Sequence, residues 1–237
     1  MTRPVGHPAD QPGPMAFVAD LASPTLNDAD VHHLTRVLRL RAGDPLTVAD
    51  GAGAWRTARL APDAATLLDA LGPVTELPDL APPLAVGFAL VKGDKPELIV
   101  QKLTELGIDR IVPFRAERSV VRWDDAKATK AVDRLRSVAR AAAMQCHRPH
   151  LPAVDDVADL ADLVAGGAAL ADRAGDPPGL ETPFVLVGPE GGWSPAEAAV
   201  TARRVVLGSH VLRAETAALT AGAVLASLRA GHLDGPD

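Results

Sequence analysis

Apolar positions along the chain follow two rhythms, and the change falls near residue 80. Before it, apolar stretches are short and rich in β-forming residues: Phe17-Val18, Leu46-Thr47-Val48, Trp55 to Leu60 and Ala65 to Leu71. Such stretches predict short strands. Asp50-Gly51-Ala52-Gly53, between two of them, predicts a hairpin turn. One short helix is expected from about Asp28 to Leu38. Val31, Leu34 and Leu38 would share its inner face, leaving His32, His33, Arg36 and Arg39 near the other. Residues 1–75 thus read as a small β-barrel with one helix. Gly72 to Pro83 carries four prolines. Proline removes a donor and restricts φ, so this stretch predicts an extended linker centred on residues 76–83.

Beyond the linker, residues 84–237 alternate strands and helices. Leu84 to Val91, Ile108 to Phe114, Ala168 to Ala171, Phe184 to Val187 and Arg204 to Leu207 are the expected strands. Asp94, with Pro96 after it and Gly107 at the far end, brackets a helix whose buried stripe is Leu98, Ile99, Leu103 and Leu106. A long helix is expected from Asp124 to about Cys146. Ser194, Pro195 and Glu197 form a capping-box pattern, and a last helix should run from Glu215 to Ala230, closed by Gly231. This alternation predicts an α/β domain with a mostly parallel sheet covered on both faces.

Composition narrows the function classes. Apolar residues make up 47% of 237, enough for a sizeable core, but there are only four Phe, three Trp and no Tyr. A protein gripping single strands mainly by ring stacking would carry more rings. The lone Cys146 excludes an internal disulfide and a Cys-based zinc site, and reads as a small buried apolar residue. Met1 to Pro14 has no apolar signal-peptide core, and no apolar run approaches the ~20 residues needed to span a bilayer. The expectation is a cytoplasmic protein with no membrane partner. Net charge is −6, yet residues 31–59 sum to +3 and 92–148 to +5 within an acidic background. Two such blocks can form a phosphate-binding face or simply two solvated helical surfaces.

Candidate chemistry sits at strand ends, where open α/β sheets bind ligands. Gly188-Pro189-Glu190-Gly191-Gly192 follows the strand Phe184 to Val187 and runs into a capped helix. Its glycines let a ligand approach the backbone, and free helix N–H groups face the same space. The loop is neither a Walker loop nor Gly-x-Gly-x-x-Gly, so a phosphate cofactor is not favoured. The second loop, Leu207-Gly208-Ser209-His210-Val211-Leu212-Arg213-Ala214-Glu215-Thr216-Ala217, also follows a strand and opens a helix. Arg213 and Glu215 lie between apolar residues, where an unpaired charge is costly. Their structural explanation is pairing of Arg213 with a nearby carboxylate.

Together, the two loops resemble the SPOUT class of methyltransferases and, within it, the 16S ribosomal RNA uridine-N3 methyltransferase family, RsmE. His32-His33-Leu34 with Val37-Leu38-Arg39 is similar to that family's N-terminal pattern. Lys92-Gly93-Asp94-Lys95, Gln101 to Gly107, and Arg140 to Arg148 with Gln145 resemble its central blocks. The similarity covers nearly the whole chain in order. The chain departs from the pattern at His210, where the family commonly has Arg, at Met144, where it often has an acid, and at Ala214, where it often has Thr.

The resemblance implies a deep trefoil knot in the C-terminal domain and a PUA-like RNA-binding barrel before it. It implies a homodimer acting on 16S ribosomal RNA in an assembled small subunit, with no metal. S-adenosyl-L-methionine would be held by Leu170, Gly188, Glu190, Gly191, Gly192, Leu207, Gly208, Leu212 and Thr216. Glu215, directly or through a water, would take the N3 proton, and Arg213 would stabilise charge on the uracil oxygens. Alternatively, Glu215 only pairs with Arg213. RNA would contact His33, Arg36, Arg39, Lys92, Lys95, Lys102, Arg115 and Arg118. Two other readings remain: a SPOUT enzyme acting on transfer RNA or a ribose oxygen, or a non-catalytic assembly factor that binds RNA.

Overall fold

A computed structural model describes residues 6–61 and 68–235. The chain forms two compact units, one of Met1–Asp79 with Arg140–Leu151, the other of Leu80–Ala139 with Pro152–Asp237. The division is discontinuous, because residues 140–151 join the first unit rather than the second.

In the first unit, strands β1 (Met15–Phe17), β2 (Pro45–Ala49), β3 (Ala54–Leu60) and β4 (Leu68–Glu76) lie in that order in one sheet. β1 is parallel to β2 and the other pairs are antiparallel. Asp50 closes the β2–β3 hairpin, its Oδ1 accepting from the N–H groups of Ala52 at 2.7 Å and Ala54 at 3.1 Å. Of the strand expected at 65–71, residues 65–67 lie outside those described. From Leu68 it continues through Gly72 and Pro73 to Glu76, so this stretch is strand and not linker. β4 is an edge strand, where a proline can face away from the ladder.

Helix α1 (Asp28–His32) starts where Asn27 Oδ1 accepts from Asp30 N at 2.8 Å. Arg140 holds Asp30 in a two-pronged ion pair at 2.8 and 2.6 Å, and its guanidinium lies over the Phe17 ring. The expected helix does not continue in α geometry to Leu38. His33–Val37 form a π-type turn, in which Leu38 N–H bonds to His33 O five residues back. The wider turn keeps Leu34 buried but turns Leu38 off the inner face, leaving it 46% exposed.

In the second unit the strands are β5 (Ala85–Ala89), β6 (Arg110–Arg115), β7 (Ala153–Val154), β8 (Ala158–Asp159), β9 (Ala169–Asp176), β10 (Phe184–Val187) and β11 (Arg204–Val205). Their order is β11-β9-β10-β5-β6-β7, with β8 also on β6, and every pair is parallel. The helices between them are α2 (Lys95–Glu105), α3 (Asp125–Gln145), α4 (Leu160–Ala165), α5 (Pro195–Ala199) and α6 (Ala214–Arg229). The weak apolar signal between residues 149 and 167 hides β7, β8 and α4, each only two to six residues long.

The central strands β5 and β10 are buried along their whole lengths, as a covered parallel sheet requires. One face packs Ile99, Leu103, Ala218 and Leu225; the other packs Val112, Phe114, Leu160 and Leu186. Gly222 lets α6 approach α2, since a Cβ there would lie 2.5 Å from Leu103 Cδ2. Arg229 seals the end of α6, bonding Asp109 and donating to Gly107 O at 2.7 Å. These contacts hold the C-terminal half of α6 against α2 and against the chain that enters β6.

Candidate functional site

A cleft of about 330 Å³ opens beyond the carboxyl ends of β9, β10 and β11. Its walls are Ala171 to Arg173, the loop after β10, Val206 to Gly208, His210 to Leu212, and Ala214 and Ala217 of α6. The loop after β10 is shaped by local chemistry. Gly192 takes a positive φ of 66° and its N–H bonds to Pro189 O at 2.9 Å. Ser194 Oγ accepts from Glu197 N at 3.2 Å, and Glu197 Oε2 accepts from Ser194 N at 2.9 Å. This capping box starts α5 at the expected residue. Glu197 also accepts from Glu117 N at 2.7 Å, so its buried carboxylate joins two loops.

Trp193 forms part of the cleft wall, and the sequence pattern did not single it out. Its Nε1 donates to Ala171 O at 2.9 Å and its ring stacks on Phe114 at 6.0 Å. Gly188 is needed beneath it, because a Cβ there would sit 3.0–3.2 Å from the Trp193 ring. Asp172, also in the wall, pairs with Arg204 at 2.9 Å. The only signal for Asp172 and Arg173 was their place after the strand containing Leu170.

Six of the expected cofactor residues line the cleft: Gly188, Glu190, Gly192, Leu207, Gly208 and Leu212. Three do not. Leu170 is wholly buried in β9 under the cleft. Gly191 faces Arg118 instead, its O accepting from Arg118 at 3.2 Å and its absent Cβ 3.1 Å from Arg118 Cβ. Thr216 is exposed on α6 outside the wall. Of the departures from the family pattern, His210 and Ala214 line the cleft, while Met144 receives a hydrogen bond from Arg140 in the first unit.

Arg213 and Glu215 do not pair with each other. Arg213 precedes α6 as its exposed N-cap, with no side-chain capping bond. Glu215 Oε2 lies 3.1 Å from Lys95 Nζ, and the same ammonium donates to Glu190 Oε1 at 3.1 Å. Only the Glu190 contact has good hydrogen-bond alignment, so the Glu215 contact is an ion pair. Lys95 therefore joins the first turn of α2 to the glycine loop and to α6. The contacts with Glu190 and then Glu215 raise its pKa above the ordinary value. Glu190 is held below the ordinary carboxylate value by its own backbone N–H and by Lys95, with Lys92 adding attraction, against an opposing push from burial.

The remaining RNA candidates are placed as follows. Lys92 is exposed, and Lys102 is tied to Glu105 at 2.8 Å. Arg115 lies 3.6 Å from both Asp125 and Asp159. His33, Arg36 and Arg39 are exposed in the first unit. Among the described residues, no group of three His, Cys, Asp or Glu side chains is set to hold a metal, and no helix is long and apolar enough to cross a membrane.

The chain matches two families, the RNA methyltransferase domain over residues 79–226 and the RNA methyltransferase PUA domain over residues 26–67. It is 37% identical over 216 residues to the ribosomal RNA small subunit methyltransferase E of Mycobacterium bovis, covering 81% of this chain and 82% of that one. The Bacillus subtilis protein of the same name is 31% identical over 83% of this chain and 87% of its own length. Among solved structures, a ribosomal RNA small subunit methyltransferase E from Neisseria gonorrhoeae bound to S-adenosyl methionine superposes with a TM-score of 0.78. The two are 27% identical over 91% of this chain and 97% of that one.

Proposed function

The chain belongs to the ribosomal RNA small subunit methyltransferase E family, and from that premise we propose that it methylates N3 of uridine 1498 in 16S ribosomal RNA, using S-adenosyl-L-methionine. The observation that carries this reading is the cleft itself. Backbone-rich glycine turns, an apolar wall of Val187, Trp193, Leu207 and Leu212, and the acids Asp172 and Glu190 converge at strand ends. Such a site fits a ligand with a flat base, a ribose and a cationic end. Its backbone N–H and C=O groups suit adenine and ribose, and its two carboxylates, each already paired with a cation, Asp172 with Arg204 and Glu190 with Lys95, keep oxygens that can accept from ligand donors. The three loops around it are those that would form the trefoil knot of the SPOUT class.

When bound, the cofactor supplies a methyl carbon on a sulfonium for in-line attack. The protein must hold N3 on that line and remove its proton. Neither Arg213 nor Glu215 lines the cleft, but both flank Ala214, which does. We assign removal of the proton to Glu215, directly or through an oriented water, with Arg213 stabilising charge on the uracil oxygens. Two features support this. Arg213 makes no ion pair with a described residue, and Lys95 holds Glu215 in place. A paired N3 edge is inaccessible in a duplex, so the target base must be unpaired or flipped. The working form is a cytoplasmic homodimer acting on the assembled small subunit, with His33, Arg36, Arg39, Lys92, Arg115 and Arg118 as candidate phosphate contacts.

The test is nucleoside mass analysis of small-subunit RNA from cells with and without the protein. 3-Methyluridine should appear only with it, and in the fragment containing position 1498. Methylation at a ribose or at another base would overturn the assignment.

A further inference from the structure

The segment from His32 to Arg41 combines four features that the catalytic cleft does not explain. It contains the π-type turn His33–Val37, with Leu38 N–H bonded to His33 O at 3.0 Å. Arg39 adopts a left-handed φ of 60°, and Leu40 N–H reaches back to Leu34 O at 2.9 Å. Val37 and Leu38 stand 59% and 46% exposed, the only sequence-adjacent pair among the large apolar residues exposed in the described chain. Arg36, Arg39 and Arg41 are all exposed, and no acidic residue lies between Val31 and Gly43. Both π turns and left-handed non-glycine residues are costly and concentrate at functional sites. Here that backbone leaves two apolar side chains exposed in a segment whose three arginines are exposed as well.

We infer that this knuckle packs Val37 and Leu38 against an unpaired nucleobase of the RNA, while Arg36, Arg39 and Arg41 hold the flanking phosphates. The inference rests on the reading that RNA is the substrate, and it names the form of RNA that is bound. Three arguments select this occupant. The charge is complementary to phosphate and repels a second copy of the same patch, which a two-fold contact would place against itself. Sequence-specific RNA recognition targets unstacked bases in loops and bulges, whose faces need an apolar or guanidinium partner. No aromatic ring of the first unit competes for the base, since Phe17 and Trp55, its two aromatic residues, are buried. Aliphatic side chains also wedge between bases in other nucleic-acid complexes.

The experiment compares two RNAs of equal length, a hairpin with an unpaired uridine beside a 2-aminopurine reporter and a fully paired duplex. Binding is measured over a salt series without cofactor. The Val37→Ser/Leu38→Ser double variant should lose about ten-fold affinity for the looped RNA. It should keep its duplex affinity and its salt slope, and should lose the rise in reporter fluorescence. Arg36→Ala and Arg39→Ala should weaken both RNAs and lower the salt slope by about one per lost phosphate contact. Thermal unfolding checks that the variants fold. Equal loss on both RNAs, unchanged binding, or a change in oligomeric state by sedimentation would overturn the inference. If no 3-methyluridine is made while the loop preference depends on Val37 and Leu38, the inference stands and the methyl-transfer reading fails.

Discussion

Gly188 is the position where the fold of the cleft can be tested most directly. It opens the glycine loop, and a Cβ added there lies 3.0 Å from Trp193 Cε2, 3.1 Å from Cζ2 and 3.2 Å from Cδ2. Three such approaches to one rigid ring are tighter than ordinary carbon packing at about 3.5–4.0 Å. Gly188→Ala must therefore push the indole by a few tenths of an ångström. Trp193 cannot yield freely, because its Nε1 is bonded to Ala171 O at 2.9 Å and its ring rests on Phe114. Overpacking of this kind costs about 1–3 kcal/mol, and a strained hydrogen bond adds up to about 1 kcal/mol. Trp193 is only half-buried, so about 1–2 kcal/mol is the expected loss in urea unfolding. Because the displaced ring lines the cleft, affinity for S-adenosylmethionine in calorimetry should also fall. The decisive measurement is a double-mutant cycle with Trp193→Phe, whose smaller ring vacates the space. In that background Gly188→Ala should cost about 1 kcal/mol less, a coupling beyond the 0.3–0.5 kcal/mol scatter of independent sites. Additive effects would refute the claim that Trp193 is why residue 188 is glycine.

Gly208 makes the complementary case: it lines the cleft, its φ is not left-handed, and a Cβ there meets nothing within 4 Å. Gly208→Leu should cut cofactor affinity at least ten-fold while leaving the unfolding midpoint unchanged; full affinity would remove the cleft from the cofactor site. Lys95→Met should leave the salt slope of RNA binding unchanged, since its ammonium serves Glu190 and Glu215 and not phosphate; a slope reduced by about one would reverse that. The same variant should alter pH dependence. Glu190 has a lowered pKa, so its stabilisation is complete above the ordinary 4.5 and disappears as pH falls through the lower folded value. Without Lys95 this loss should be smaller and complete at a higher pH, although the backbone N–H to Glu190 keeps part of the shift. Lys95 has a raised pKa, so its contribution persists to the ordinary 10.5 and vanishes above it, in the wild type only. Glu215→Gln should slow single-turnover methyl transfer by about 10²-fold or more with cofactor affinity retained, as loss of a general base does; an undiminished rate would end that assignment.

Much of the architecture is legible along the chain because it is locally encoded. Ser194, Pro195 and Glu197 start α5 through bonds made within four residues, and Phe184 to Val187 forms a buried strand because its own side chains require cover. The glycine turns that follow the strands likewise mark the cleft in the sequence itself. Other features depend on partners far away in sequence. Lys95 and Glu215 are separated by 120 positions, so the sequence left a pairing of Glu215 with Arg213 open and made phosphate the expected partner of Lys95. Gly188 owes its identity to the Trp193 ring folded back over it, and Gly191 faces Arg118 rather than the cleft. Leu38 fits an inward helical face in α periodicity and leaves it only because the backbone widens to a π turn. Short-range hydrogen bonds and burial periodicity are properties of neighbouring residues. Ion pairing and steric fit depend on which distant surfaces the folded sheet and helices bring within a few ångströms.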